Sequence, residues 1–137
     1  MKSYDLVLPI YWTKTYKTKK DKTVLVGMNF YRNAHYFDQN ALKQEIGDFV
    51  KEQVEGLNIY GPYTLHLYLY YKNSNCDGAN ICSLIEKIVL DALQTFKVVE
   101  QDNVKFHKGT TWEIVKQDKE NPRCEIKIKR INYDKSD

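Results

Sequence analysis

Residues 63–71 read YTLHLYLYY, and residues 72–79 that follow read KNSNCDGA. In the first stretch Leu65, Leu67 and Leu69 alternate with His66, Tyr68 and Tyr70. A period of two is that of a β-strand, and apolar bulk on both sides predicts one that is substantially buried on both faces. The polar run after it reads as a loop. Beyond the loop the period changes: Ile81, Leu84, Ile85, Ile88 and Ala92 recur at helical spacing, predicting a helix from Asn80 to Phe96 with one inward stripe.

Working outward, Tyr4–Ile10 alternates as a strand, Lys14–Lys22 is a lysine-rich loop or hairpin tip, and Thr23–Phe30 is β-branched enough for a second strand. Leu42, Ile46, Phe49, Val50, Val54 and Leu57 then fall at helical spacing, with Asp38 placed to cap the start and Gly56 near the end. Thr110–Val115 and Cys124–Ile131 read as two closing strands joined by a turn through Asp118–Pro122. The order β-β-α-β-α-β-β predicts an α+β single domain over 1–137: a mixed β-sheet with two main helices packed on it.

Composition narrows the classes. The chain has 137 residues, 42% hydrophobic and 28% charged, an ordinary balance for one folded domain and too apolar for a disordered one. No apolar run is long enough to cross a membrane. The opening MKSYDLVLPIYW lacks the apolar core and small-residue cleavage site of a leader, so a cytoplasmic protein is expected. Cys76, Cys82 and Cys124 cannot all pair and form no C-x-x-C, which supports neither a disulfide framework nor a cysteine zinc site. No glycine-rich phosphate cradle is present, so a nucleotide cofactor is not expected. His35, His66 and His107 match no zinc or triad spacing.

The net charge of +3 says little, but its distribution says more. Residues 1–35 hold seven basic and two acidic groups, residues 36–103 five and ten, and residues 104–137 nine and six. An acidic centre between basic arms suits a nucleic-acid enzyme whose carboxylates hold metal and whose arms hold phosphate; a solvated lysine loop accounts for the first arm as well. Within the centre, Asp77, Asp91 and Asp102 stand out. At 100° per residue Asn80, Lys87 and Asp91 lie at about 0°, −20° and +20°, on one helix face. Such a face fits a site, and it also fits the solvated side of any amphipathic helix.

The run D77-G-A-N80, E86-K87-I-V-L-D91-A-L93, E100-Q-D102-N103 resembles the RusA-type Holliday junction resolvases. Their pattern is Asp-x-Asp-Asn, a helix that carries a lysine and ends near Asp-Ala-Leu, and one or two aspartates further on. Lys87 matches the lysine, Asp91-Ala92-Leu93 the tripeptide, and Asp102 the downstream aspartate, 11 residues after Asp91. The flanking strands fit too, so the resemblance covers most of the chain, and N29-F-Y31-R32-N33-A-H35 is similar to the polar segment before the first helix in a phage branch.

The resemblance implies a homodimeric, structure-selective endonuclease that cuts four-way or branched DNA with Mg²⁺ or Mn²⁺ held by aspartates. It assigns Asp77 and Asp102 as metal ligands, Asp91 as a third ligand or a structural residue, and Lys87 as the group that stabilises charge on the phosphate. Asn80 would orient a ligand or the loop; Arg32, Lys17, Lys19 and Lys20 from one arm, and Lys127 and Lys129 from the other, would contact DNA. A hard divalent ion favours carboxylate and water oxygens, and can activate water beside a phosphodiester.

The chain departs from the pattern twice. Ala79 stands where the second aspartate belongs, so a Mn²⁺ preference, a high metal requirement or a junction-binding protein that does not cut is expected. The stretch from Asn80 to Asp91 is one helical turn longer, about 6 Å. A helix from Asn80 to Phe96 extends about 24 Å, and the link to Asp102 spans roughly 20 Å at full stretch. Asp102 therefore reaches Asp77 only if the chain doubles straight back; otherwise a partner subunit must complete the site, or the ligands gather at the opposite helix end.

Overall fold

A computed structural model describes residues 3–131. The elements are β1 (Ser3–Pro9), β2 (Tyr11–Lys14), β3 (Lys22–Leu25), α1 (Met28–Asn33), α2 (Tyr36–Val54), β4 (Tyr63–Tyr71), α3 (Gly78–Thr95), β5 (His107–Gln117) and β6 (Arg123–Arg130). Four strands form one sheet in the order β1-β6-β4-β5, while β2 and β3 pair as a separate hairpin. β6 runs antiparallel to both β1 and β4, and β5 runs parallel to β4. The sheet is thus mixed, with α3 as the crossover that a parallel pair requires.

Alternation places the core. Cross-strand rows Leu6–Ile126–Leu67 and Leu8–Cys124–Leu69 are buried on one face of the sheet. Against them lie Leu42, Ile46, Val50 and Val54 of α2, and Ile81, Leu84, Ile85, Ile88, Val89, Ala92 and Leu93 of α3. Each fully buried Leu or Ile contributes about 1.5–3 kcal/mol relative to exposure. No polar or charged residue is buried among the described residues. Thr64, His66, Tyr68 and Tyr70 point to the other face and are half-buried, so β4 is fully covered on one side only.

Three sequence expectations change. The strand expected over Thr23–Phe30 ends at Leu25, and after Gly27 the chain turns into α1. A Cβ at Gly27 would lie 2.3 Å from Nδ2 of Asn80, and Oδ1 of Asn80 accepts the Asn29 amide at 2.6 Å. That contact from 51 residues away fixes a helical turn where local propensity favours a strand. The described residues therefore hold three helices rather than two. Second, α2 begins earlier: Nδ1 of His35 accepts the Phe37 amide at 3.3 Å as the cap, while Asp38 sits in the first turn and pairs with Lys14. Third, Asp77 caps α3 by accepting the Asn80 amide at 3.2 Å, so that helix starts at Gly78.

The two sheet edges differ. On β1, Val7 turns its amide and carbonyl outward, and Gln53 of α2 satisfies both: Oε1 accepts the amide at 2.7 Å and Nε2 donates to the carbonyl at 2.8 Å. β5 pairs with β4 alone among the described residues, and Trp112 and Ile114 on it are exposed.

Candidate functional site

The start of α3 gathers part of the expected constellation. The end of β4 and the loop after it deliver Asp77, an exposed carboxylate oriented by its capping bond. Asp and Asn favour this position because their short side chains reach the first-turn amides. One turn on, Asn80 holds the start of α1, which carries exposed Arg32 one turn beyond Asn29. The close approach of Gly78 to Ile114 sets this corner against β5, since a Cβ there would meet Cδ1 of Ile114 at 2.5 Å.

Asp102 lies at the other end of α3. The Gln94 carboxamide, its orientation assigned from its partners, donates to both oxygens of Asp102 at 3.1 and 3.3 Å. Seventeen residues separate Asp77 from Gln94, about 25 Å of helix. A second ruler agrees. Tyr63, at the start of β4, donates its hydroxyl to the Gln101 carbonyl at 3.1 Å, while Asp77 follows the end of the same nine-residue strand. The chain does not double back, and Asp77 and Asp102 of one chain do not share an ion. The parallel β4–α3–β5 crossover is the physical reason: it returns the chain to the level at which β4 began.

Asp91 is separate again. It pairs with Lys43 of α2 at 2.9 Å, and that hydrogen bond raises the lysine pKa. About 21 Å of helix separates it from Asp77. Of the two roles expected for Asp91, third ligand or structural residue, the structure shows the residue in an interhelical ion pair, apart from Asp77. Lys87 is exposed, roughly two turns beyond Asn80. Among the described residues, no three His, Cys, Asp or Glu side chains converge to hold a metal. The three cysteines are free thiols.

The expected DNA contacts fall on two surfaces. Lys17, Lys19 and Lys20 are exposed at the tip of the β2–β3 hairpin, with the Lys19 ammonium 4.4 Å from the Tyr16 ring centre. Lys127 and Lys129 lie on the sheet face that points away from the helices, and Lys127 meets Asp5 at 3.4 Å. Burial, and then Lys129 and Lys127, lower the pKa of His66 on the same face. The structure thus keeps Lys127 and Lys129 apart from Asn80 and Arg32.

Two contributors carried no local signal. Gly27 and Asn29 matter only through Asn80, a contact across 51 residues. Tyr60 in the loop before β4, and Tyr36 and Phe37 at the start of α2, are exposed, although their residue types fit a core equally well.

No family model matches the chain, and no curated protein matches it. No described helix is long and apolar enough to cross a membrane.

Proposed function

We propose that this chain is a RusA-like, Mg²⁺- or Mn²⁺-dependent endonuclease of the cytoplasm that acts on four-way or branched DNA as a homodimer. Asp77 carries the reading: the first aspartate of the motif is exposed, held in one orientation at a strand–helix junction, and next to Asn80 and the Arg32-bearing helix. The separation of Asp77 from Asp102 makes the dimer a chemical requirement. A two-fold axis normal to the sheet beside β5 runs the partner's β5 antiparallel to its copy. The partner's strands are then reversed, and Asp102 of the partner subunit comes to the Asp77 end. Each dimer would hold two such composite sites, suited to paired incision of a two-fold symmetric junction. Each site would bring two carboxylates to an ion that takes its remaining ligands as water.

Cutting of a synthetic four-way junction in Mn²⁺, abolished by EDTA, is the expected result. Asp77→Asn and Asp102→Asn chains should each be inactive, yet recover part of the activity when refolded together, because one composite site of the mixed dimer keeps both carboxylates. A mixture that stays inactive while the unaltered protein cuts rules out the composite site. A protein that neither binds nor cuts the junction rules out the nuclease reading. A second reading, salt-sensitive junction binding without cutting, is favoured by Ala79, which brings no ligand to the first turn of α3. Under that reading Ala79→Asp should gain metal affinity.

A further inference from the structure

Tyr36 and Phe37 are the two most exposed aromatic side chains among the described residues, at 66% and 71%. They do not lie loose on the surface. The His35 and Phe37 rings stack at 5.2 Å and 17°, and Tyr36 meets Phe37 edge-on at 5.8 Å. The backbone beneath is held by the bond from the Phe37 amide to Nδ1 of His35. Rings fixed in advance lose little rotamer freedom when a ligand covers them.

The turn that carries them is tied to basic elements of the chain. Asp38, the next residue, pairs with Lys14 and so joins the start of α2 to the hairpin whose loop and strand end carry Lys17, Lys19, Lys20 and Lys22. Nε2 of Gln39 donates to the Tyr31 carbonyl at 2.6 Å, which ties the same turn to α1, and α1 is tied to Asn80. From Lys14 to Phe37 the chain has six basic residues and one acidic one. Exposed aromatic faces joined to basic elements fit a polyanion that offers planar faces of its own. A paired duplex hides its base faces in the stack, whereas a branch point or single strand exposes them.

We propose that Tyr36 and Phe37 stack on unpaired bases where a DNA duplex opens, while Arg32 and the hairpin lysines hold the adjoining phosphates. The inference rests on the reading of the chain as a DNA-binding protein, and it assigns to these rings the preference for branched over continuous DNA.

The test uses the full chain without divalent metal, so that cutting plays no part. Fluorescence anisotropy compares a Y-shaped DNA with unpaired arms against a blunt duplex of the same sequence. A 2-aminopurine in the unpaired arm reports stacking by quenching. Replacing both rings (Tyr36→Ala with Phe37→Ala) should weaken fork binding about tenfold or more and remove the quenching. Duplex binding, carried by phosphate contacts, should change by less than about twofold. The exchanged pair, Tyr36→Phe with Phe37→Tyr, should restore both signals, and circular dichroism should show every variant folded. Equal loss on fork and duplex, or quenching that persists in the double-alanine chain, overturns the inference and leaves the DNA-binding reading in place. Failure of the unaltered protein to bind either DNA overturns both. A double-alanine chain that instead sediments as a smaller oligomer shows that the rings cover an interface between copies, which also overturns it.

Discussion

Oδ1 of Asn80 accepts the Asn29 amide at 2.6 Å, and the approach is open only because Gly27 has no side chain to meet Asn80. Gly27 has extended backbone that any residue can adopt, so the requirement is one of space and not of conformation. Gly27→Ala should cost about 1–3 kcal/mol through overpacking. Asn80→Ala should cost about 1 kcal/mol for the lost bond. The two should be non-additive, since removing the Asn80 carboxamide also removes the obstruction. Urea unfolding of the four chains of the cycle measures this, and simple additivity would separate Gly27 from Asn80.

Asp77 has a structural duty whatever its chemistry, and two substitutions separate the roles. Asparagine caps a helix about as well as aspartate, so Asp77→Asn should leave stability within about 0.5 kcal/mol, while Asp77→Ala should cost about 1 kcal/mol. Both should lose Mn²⁺-dependent cutting. Activity retained in a folded Asp77→Asn protein removes the residue from any metal site.

The Lys43–Asp91 pair is partly exposed on both sides. Breaking it with Asp91→Asn should therefore cost no more than about 1 kcal/mol and less at high salt. Junction cutting should survive in Asp91→Asn. Loss of cutting with unchanged stability would return Asp91 to the catalytic set.

Burial, and then the nearby Asp102 carboxylate, push the phenol of Tyr63 up to about 12 from its ordinary 10.0. The unfolded chain loses this proton first as pH rises. The contribution is therefore whole below pH 10 and is lost between pH 10 and about 12, on the order of 2 kcal/mol. Tyr63→Phe should be less stable at neutral pH, having lost the bond to the Gln101 carbonyl, and should show a flatter alkaline decline. Denaturant midpoints from pH 8 to 12 in both chains test the sign.

How far the sequence could be read depended on the range of the interaction that decides each element. Strand 63–71 has its expected bounds because alternation along nine residues is itself the signal. The inward stripe Ile81, Leu84, Ile85, Ile88 and Ala92 is buried as expected for the same reason. α1 was hidden because the contact that holds its start, Asn80, lies in another element. Asp38 is not the cap because α2 starts earlier, at Tyr36 after His35, which leaves Asp38 inside the first turn and paired with Lys14. Asp77 and Asn80 could be placed on a strand–helix junction from spacing alone. The distance to Asp102 could not, because it depends on whether the returning strand lies parallel to β4, and periodicity does not report strand direction.

The Gln53 clamp on Val7 bears on how copies of the chain can add to one another. A sheet with two bare borders can recruit a strand at each and grow into a fibre. With Val7, at the middle of the β1 border, already engaged by a glutamine that imitates a neighbouring strand, recruitment is favoured at the β5 border. Joining two molecules there would consume the more open border of each and disfavour growth beyond a pair, and releasing Gln53 would make further growth easier.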